Sequence, residues 1–264
     1  MVRAKKRLGQ HFLKDEGIAR SIAESLTHHG AYRKVIEIGP GTGALTRHLM
    51  DRDDIDLLCV ELDREAAAHL RRQYPALHLV EADFLTMDLT SHDGSTLAVI
   101  GNFPYNISTE IVFKVLEHRD RITELVGMFQ KEVADRLAAP PGSRTYGITS
   151  VLAQAYYRIE QLFLVEPGSF IPPPRVRSAV IRMQRNEVAK LDCDEAVFRS
   201  LVKTAFNQRR KQLGNALRSF PGLEAGLPGS FATLRAERLS VADFVTLTRA
   251  STAQAPTDPT GSSA

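Results

Sequence analysis

The chain has little cysteine: Cys59 and Cys193 are the only two in 264 residues, far apart and without CxxC spacing. That excludes a disulfide framework and any cysteine-rich metal centre. Long hydrophobic runs are missing too. The charge-free stretch 145–157 is too short and too polar for the 18 or more apolar residues a membrane span requires. The basic start, Met1-Val2-Arg3-Ala4-Lys5-Lys6-Arg7, has no apolar segment behind it, so it is not a secretory signal. A cytoplasmic protein with no membrane partner is expected. No internal repeat is visible. The apolar share of 43% and charged share of 25% are those of an ordinary globular chain.

Net charge is nearly absent as well, at +3, so the distribution carries the information. Residues 1–14 hold Arg3, Lys5, Lys6, Arg7 and Lys14 with no acid. Residues 199–218 hold Arg199, Lys203, Arg209, Arg210, Lys211 and Arg218, again with no acid. Two separated basic clusters on a near-neutral chain suggest a polyanion met at particular faces. A solvated basic helix face is the plainer alternative for either cluster alone.

Periodicity gives strands at 35–38, 57–60, 77–80, 97–100 and 124–129, and two later ones at 162–165 and 176–183. Helical stripes fall at 15–27, 44–50, 64–73, 108–117 and 147–157. This alternation predicts an α/β domain with a mostly parallel sheet. From about 192 onward the pattern is helical throughout (196–206, 212–219, 230–235, 241–249). Three regions are expected: a catalytic domain with an N-terminal arm over 1–187, a small helical domain over 188–250, and a disordered Pro/Ser/Thr/Gly tail over 251–264.

Three features carry chemistry. Glu37-Ile38-Gly39-Pro40-Gly41-Thr42-Gly43 follows the first strand; such glycines let the backbone turn sharply and let a ligand lie against it. Alone this is weak, since Gly39, Gly41 and Ala44 also satisfy the dinucleotide pattern G-x-G-x-x-A. Glu61 ends the second strand about 20 residues later, where a carboxylate can hold both hydroxyls of a ribose. Asp83 and Asn102 follow the third and fourth strands, so Gly39, Glu61, Asp83 and Asn102 would face one crevice.

The decisive motif is Asn102-Phe103-Pro104-Tyr105. Adenine N6 is a poor nucleophile because its lone pair is delocalised into the ring. A site accepting both of its hydrogens makes the nitrogen more tetrahedral and frees that pair. The Asn102 side-chain oxygen and the Phe103 carbonyl can be those acceptors. Pro104 holds Phe103 extended, and Tyr105 offers a face for an extruded base. An Asx-type turn starting the helix at Ser108 is the alternative for the tetrapeptide alone.

With Gly9-Gln10-His11-Phe12-Leu13 and the segment 170–178 (Phe-Ile-Pro-Pro-Pro-Arg-Val-Arg-Ser), these motifs resemble the signatures of the ribosomal RNA adenine dimethyltransferases. The resemblance runs from about Lys6 to Arg218. It implies a Rossmann-like class I methyltransferase sheet with a small C-terminal all-helical domain, using S-adenosylmethionine. It implies dimethylation of two adjacent adenosines near the 3′ end of 16S rRNA in a small-subunit precursor, by a monomer, with a possible role in subunit biogenesis. By resemblance His11, Leu13, Gly39, Glu61, Asp83 and Asn102 contact the cofactor, Asn102 and Tyr105 handle the target adenine, and Phe170 stacks on its other side. No metal is implied. The family commonly has Asn where this chain has His11, a titrating side chain. Alternatives are an erythromycin-resistance-type methylase of 23S rRNA, a non-catalytic RNA-binding assembly factor, a DNA adenine methylase and a nicotinamide oxidoreductase. The residues alone do not distinguish one added methyl group from two.

Overall fold

The computed structural model describes residues 2, 4–89 and 95–253, without the Lys6 side chain. Arg3 of the arm and residues 254–264 of the expected tail lie outside these. The chain forms two compact units. The first comprises 1–138 and 156–187, the second 139–155 and 188–264. The expected single boundary at 187 is therefore incomplete, because 139–155 belongs with the helical unit.

The first unit runs β1 (Phe12–Leu13), α1 (Glu16–Glu24), β2 (Lys34–Ile38), α2 (Thr46–Met50), β3 (Asp56–Glu61), α3 (Arg64–Gln73) and β4 (Leu79–Glu81). It continues with β5 (Leu97–Asn102), α4 (Ser108–Glu117), β6 (Ile122–Gln130), α5 (Lys131–Ala138), β7 (Tyr157–Val165), β8 (Phe170–Ile171) and β9 (Ser178–Arg185). Seven strands form one sheet in the order β4-β3-β2-β5-β6-β9-β7. The first five are parallel, and β9 and β7 are antiparallel additions. Strand order reverses between β2 and β5, which opens a crevice at their carboxyl ends. The central strands are apolar runs because helices cover both faces of a parallel sheet; Val35, Ala98, Val99, Ile100, Leu125 and Val126 are fully buried.

Helix starts follow from local chemistry. Asp15 accepts from the Ile18 N–H (3.1 Å) and begins α1, while Asp63 accepts from the Glu65 N–H (3.0 Å) and begins α3. Each cap satisfies an N–H that no helical carbonyl reaches. Two elements were not expected. Helix α5 lies directly after β6, and β1 pairs with β8 through Phe12↔Ile171 and Leu13↔Phe170. The late strand expected over 162–165 begins earlier, at Tyr157, whose buried hydroxyl donates to the Ile122 carbonyl (2.7 Å).

The second unit holds α6 (Ile148–Gln154), α7 (Glu195–Asn207), α8 (Leu213–Ala216) and α9 (Val241–Ala253). Asp194 caps α7 by accepting from the Ala196 and Val197 N–H groups (2.8 and 2.9 Å). Its core contains Tyr146, Val151, Phe198, Leu201, Phe206, Leu213, Phe244 and Leu247. The helix expected at 230–235 is only a 3₁₀ turn, Phe231–Thr233. The first residues of the tail expected to be disordered are helical instead: Ser251, Thr252 and Ala253 complete α9, and Ser251 is buried. No helix among the described residues is long and apolar enough to cross a membrane.

Candidate active site

A cleft opens at the carboxyl ends of β2, β3, β4 and β5. Gly39, Glu61, Asp83, Asn102, Tyr105 and His11 all line it, as the sequence suggests. The glycine loop keeps one wall open. Gly41 has φ +59°, and a Cβ there would stand 2.9 Å from the Phe12 ring, so the arm can lie directly on the loop only because that position is glycine.

Glu61 is 4% exposed, yet it borders the cleft. Its Oε2 accepts from the Gly41 N–H (3.0 Å) and its Oε1 from the Asp63 N–H (2.8 Å). Burial pushes its carboxyl above the usual carboxylate range, and the backbone N–H groups of Asp63, Gly41 and Leu62 oppose that. A carboxylate has about four acceptor sites, so capacity remains for a hydroxyl entering the cleft. Asp83 uses Oδ1 to accept from the Leu85 N–H (2.9 Å), which shapes the short turn Phe84–Thr86 beside the cleft.

At the end of β5, the Asn102 Nδ2 donates to the His11 carbonyl (2.8 Å). A carbonyl can only accept, so this contact fixes which end of the amide is nitrogen. The Asn102 Oδ1 therefore remains an acceptor, and no described residue donates to it. The next residue is a wedge. The Phe103 ring is 1% exposed and packs edge-on against Phe129 at 5.2 Å. It fills a slot over β6 in which a Cβ on Gly127 would come within 2.1 Å of the ring. Thus Phe103 pins the loop after β5 to the sheet and holds Asn102 and Tyr105 in place.

Tyr105 stacks on the His11 imidazole at 5.3 Å and shares a 2.5 Å hydrogen bond with the Ser178 hydroxyl. Burial raises its pKa, with Ser178 opposing, so the phenol stays neutral at physiological pH. His11 donates from Nδ1 to the Pro172 carbonyl (2.8 Å). Beneath the loop, Glu37 accepts from the Thr46 hydroxyl (2.8 Å) and the Cys59 thiol (3.3 Å). Burial carries its pKa up to about 7.

Two expected site residues are not brought into the cleft. Leu13 and Phe170, partners in the β1–β8 pair, turn their side chains into the apolar core beside Ile22 and Val180. Phe170 is 1% exposed while Ile171 is 58% exposed, as strand alternation requires. A base cannot stack on a ring buried in this way, so Phe170 supports the wall instead. Three residues with evident roles were not singled out from sequence. Ser178 could have been found only as a buried hydroxyl closing the proline-rich motif. Gln10 gave no signal beyond its motif, and Asp63 lies in none of the motifs.

The sheet order, the glycine loop and the strand-end polar groups together define a class I methyltransferase, and comparison with known proteins agrees. Over 90% of its length the chain superposes on a dimethyladenosine transferase from Plasmodium falciparum (96% of that chain, TM-score 0.74, 23% identity). It superposes equally far on the 23S rRNA methyltransferase ErmE (99% of that chain, TM-score 0.67, 27% identity). The chain belongs to the ribosomal RNA adenine dimethylase family, whose model matches residues 1–250. Relatives named ribosomal RNA small subunit methyltransferase A include one from Cytophaga hutchinsonii, 51% identical over 249 residues (94% of this chain, 96% of the relative). Another, from Bacteroides thetaiotaomicron, is 49% identical over 252 residues (94% of each). The protein is a methyltransferase, and its methyl donor is S-adenosylmethionine.

Proposed function

We propose that this chain dimethylates N6 of two adjacent adenosines near the 3′ end of small-subunit rRNA. It would act as a cytoplasmic monomer on a ribosomal-subunit precursor. The observation that carries the reading is the Asn102 amide, whose nitrogen is committed to the His11 carbonyl and whose oxygen remains an acceptor in the cleft. High identity to the small-subunit enzymes over nearly the whole chain favours that substrate over 23S rRNA.

The cleft fits the cofactor. Its lining suits a nucleoside, since buried Glu61 is an acceptor that ribose hydroxyls satisfy. Glu61, Asp83 and the loop at Gly39 would hold the cofactor, with His11 and Asn102 at its border. Bound there, S-adenosylmethionine supplies an electrophilic methyl carbon. The chain's own part is to orient the amine. Asn102 Oδ1 and the Phe103 carbonyl accept its two hydrogens, and Tyr105 stacks on the base with its tilt set by Ser178 and His11. No strong base is needed, because the methylated amine is acidic and loses its proton to water. Catalysis is then orientation and electrostatics.

The helical unit would meet RNA. On it Arg199, Lys203, Arg210, Lys211 and Arg218 are exposed, and no described carboxylate pairs with them. Arg209 is different: it pairs with Glu237 (3.0 Å) and donates to the Arg144 carbonyl, so it is committed to the unit's own fold. The test is mass spectrometry of nucleosides from precursor small subunits incubated with enzyme and isotopically labelled cofactor. Labelled dimethyladenosine in the 3′-terminal fragment is expected. Label only in large-subunit RNA, or no label, would overturn the reading.

A further inference from the structure

Residues 8–12 form one wall of the cleft, and the attachment just ahead of them, at Lys5, is polar. The Lys5 ammonium pairs with Asp63 Oδ1 and lies 3.5 Å from Glu65 Oε2. The Lys5 N–H donates to Gln10 Oε1 (2.8 Å), and Gln10 Nε2 donates to Asp63 Oδ2 (3.3 Å). The two ends of this contact differ in burial: the Asp63 side chain is 1% exposed and that of Lys5 is 32% exposed. Beyond it, Gln10, His11 and Phe12 lie along the cleft itself.

Asp63 is connected to the cofactor side as well. Its N–H donates to Glu61 Oε1, and the other Glu61 oxygen holds the glycine loop through Gly41. One short segment therefore carries both the carboxylate assigned to the ribose and the carboxylate that holds the arm. We propose that Lys5, Gln10 and Asp63 form a latch that holds the arm across the cofactor cleft and sets the rate of cofactor exchange. Each methyl group added to an adenine consumes one cofactor, so spent cofactor must leave and fresh cofactor enter between transfers. The Lys5 end of the latch is open to solvent, so water can take over its contacts when the arm lifts. The arm's apolar anchor, Phe12–Leu13 against β8, keeps it attached when the latch is open. Asp63 and Lys5 are thus positioning residues that do not touch the reacting atoms.

This inference rests on assigning the cleft to S-adenosylmethionine, and the experiment separates the two claims. Bound radiolabelled S-adenosylmethionine is chased with excess unlabelled cofactor from wild-type protein, Lys5→Ala, Lys5→Arg, Asp63→Asn and Glu61→Ala. Release should be about tenfold faster from Lys5→Ala and near the wild-type rate from Lys5→Arg. Wild-type release should quicken with salt, whereas release from Lys5→Ala should not. Trypsin should cut after Arg7 faster in Lys5→Ala, with an unchanged unfolding temperature. Adding Lys5→Ala to Asp63→Asn should have a smaller effect than Lys5→Ala alone, because only the 3.5 Å pair with Glu65 is then left to lose. Asp63 also caps α3, so if Asp63→Asn fails to fold, Lys5→Ala alone decides. Wild-type release from a folded Lys5→Ala protein overturns the latch. If Glu61→Ala loses affinity at the same time, the cleft assignment survives; if it binds normally, that assignment fails too.

Discussion

Replacing Asn102 with alanine tests the chemistry most directly, and the structure separates two effects. The first is local. The His11 carbonyl loses its Nδ2 donor (2.8 Å), a hydrogen bond worth about 0.5–1.5 kcal/mol net, so cofactor affinity should fall by no more than about tenfold. The second is felt at the target amine. Removing one preorganised group of the kind that stabilises developing charge costs about 10²–10³ in rate, or roughly 2.7–4 kcal/mol. The wedge of Phe103 in its slot does not depend on Asn102, so the loop should keep its course. RNA affinity should hardly change, since phosphate contacts supply most of it. The assay is single-turnover methyl transfer at saturating cofactor, on RNA the wild-type protein methylates, with binding of each ligand measured separately. A variant that transfers within threefold of the wild-type rate would refute the acceptor mechanism. So would a rate loss accounted for wholly by weaker cofactor binding.

Three further outcomes follow from the geometry. Glu61→Ala should weaken S-adenosylmethionine binding by about 1–3 kcal/mol in calorimetric titration, the cost of a charge-assisted hydrogen bond. Arg210→Ala with Lys211→Ala should flatten the slope of log RNA affinity against log salt by about two units, whereas Arg209→Ala should chiefly lower the unfolding temperature, because it breaks the pair with Glu237. Glu37 has a carboxyl raised from 4.5 to about 7, so the folded state binds more protons than the unfolded state in that window. Its contribution is complete below pH 4.5 and is lost as pH rises to 7, by at most about 3 kcal/mol. Glu37→Gln should remove that slope in unfolding temperatures measured across the window, and an unaltered slope would mean that Glu37 is ionised in the fold.

The parts of the site that follow strands were legible because a parallel sheet delivers its strand ends to one edge. Once four apolar strands are recognised, Gly39, Glu61, Asp83 and Asn102 must converge. What sequence could not give is contact between segments far apart in the chain. Tyr105 meets Ser178 across 73 positions, and Lys5 meets Asp63 across 58. Strands β1 and β8 are two residues long and apolar at both positions, so their sequence does not show which side chain turns inward. Their aromatic and aliphatic character suits a stacking platform and a core equally, and only burial separates the two. Likewise Arg209 reads like its basic neighbours until Glu237 is placed beside it.

The helical unit is entered twice by the chain, first through 139–155 and then from 188 onward. Cutting at 187 would not release an independent catalytic fragment. It would leave Tyr146, Val151 and Leu152 behind without the Phe198, Phe206 and Phe244 side chains that complete their core. A ring contact between Tyr146 and Phe206 at 6.0 Å would become bare apolar surface on the shortened protein. Gene fusions, fragment complementation and truncation libraries should treat the stretch at 139–155 as cargo of the C-terminal half. Excising both pieces together and rejoining Ala138 to Tyr156 is the cut that respects how this chain is wired.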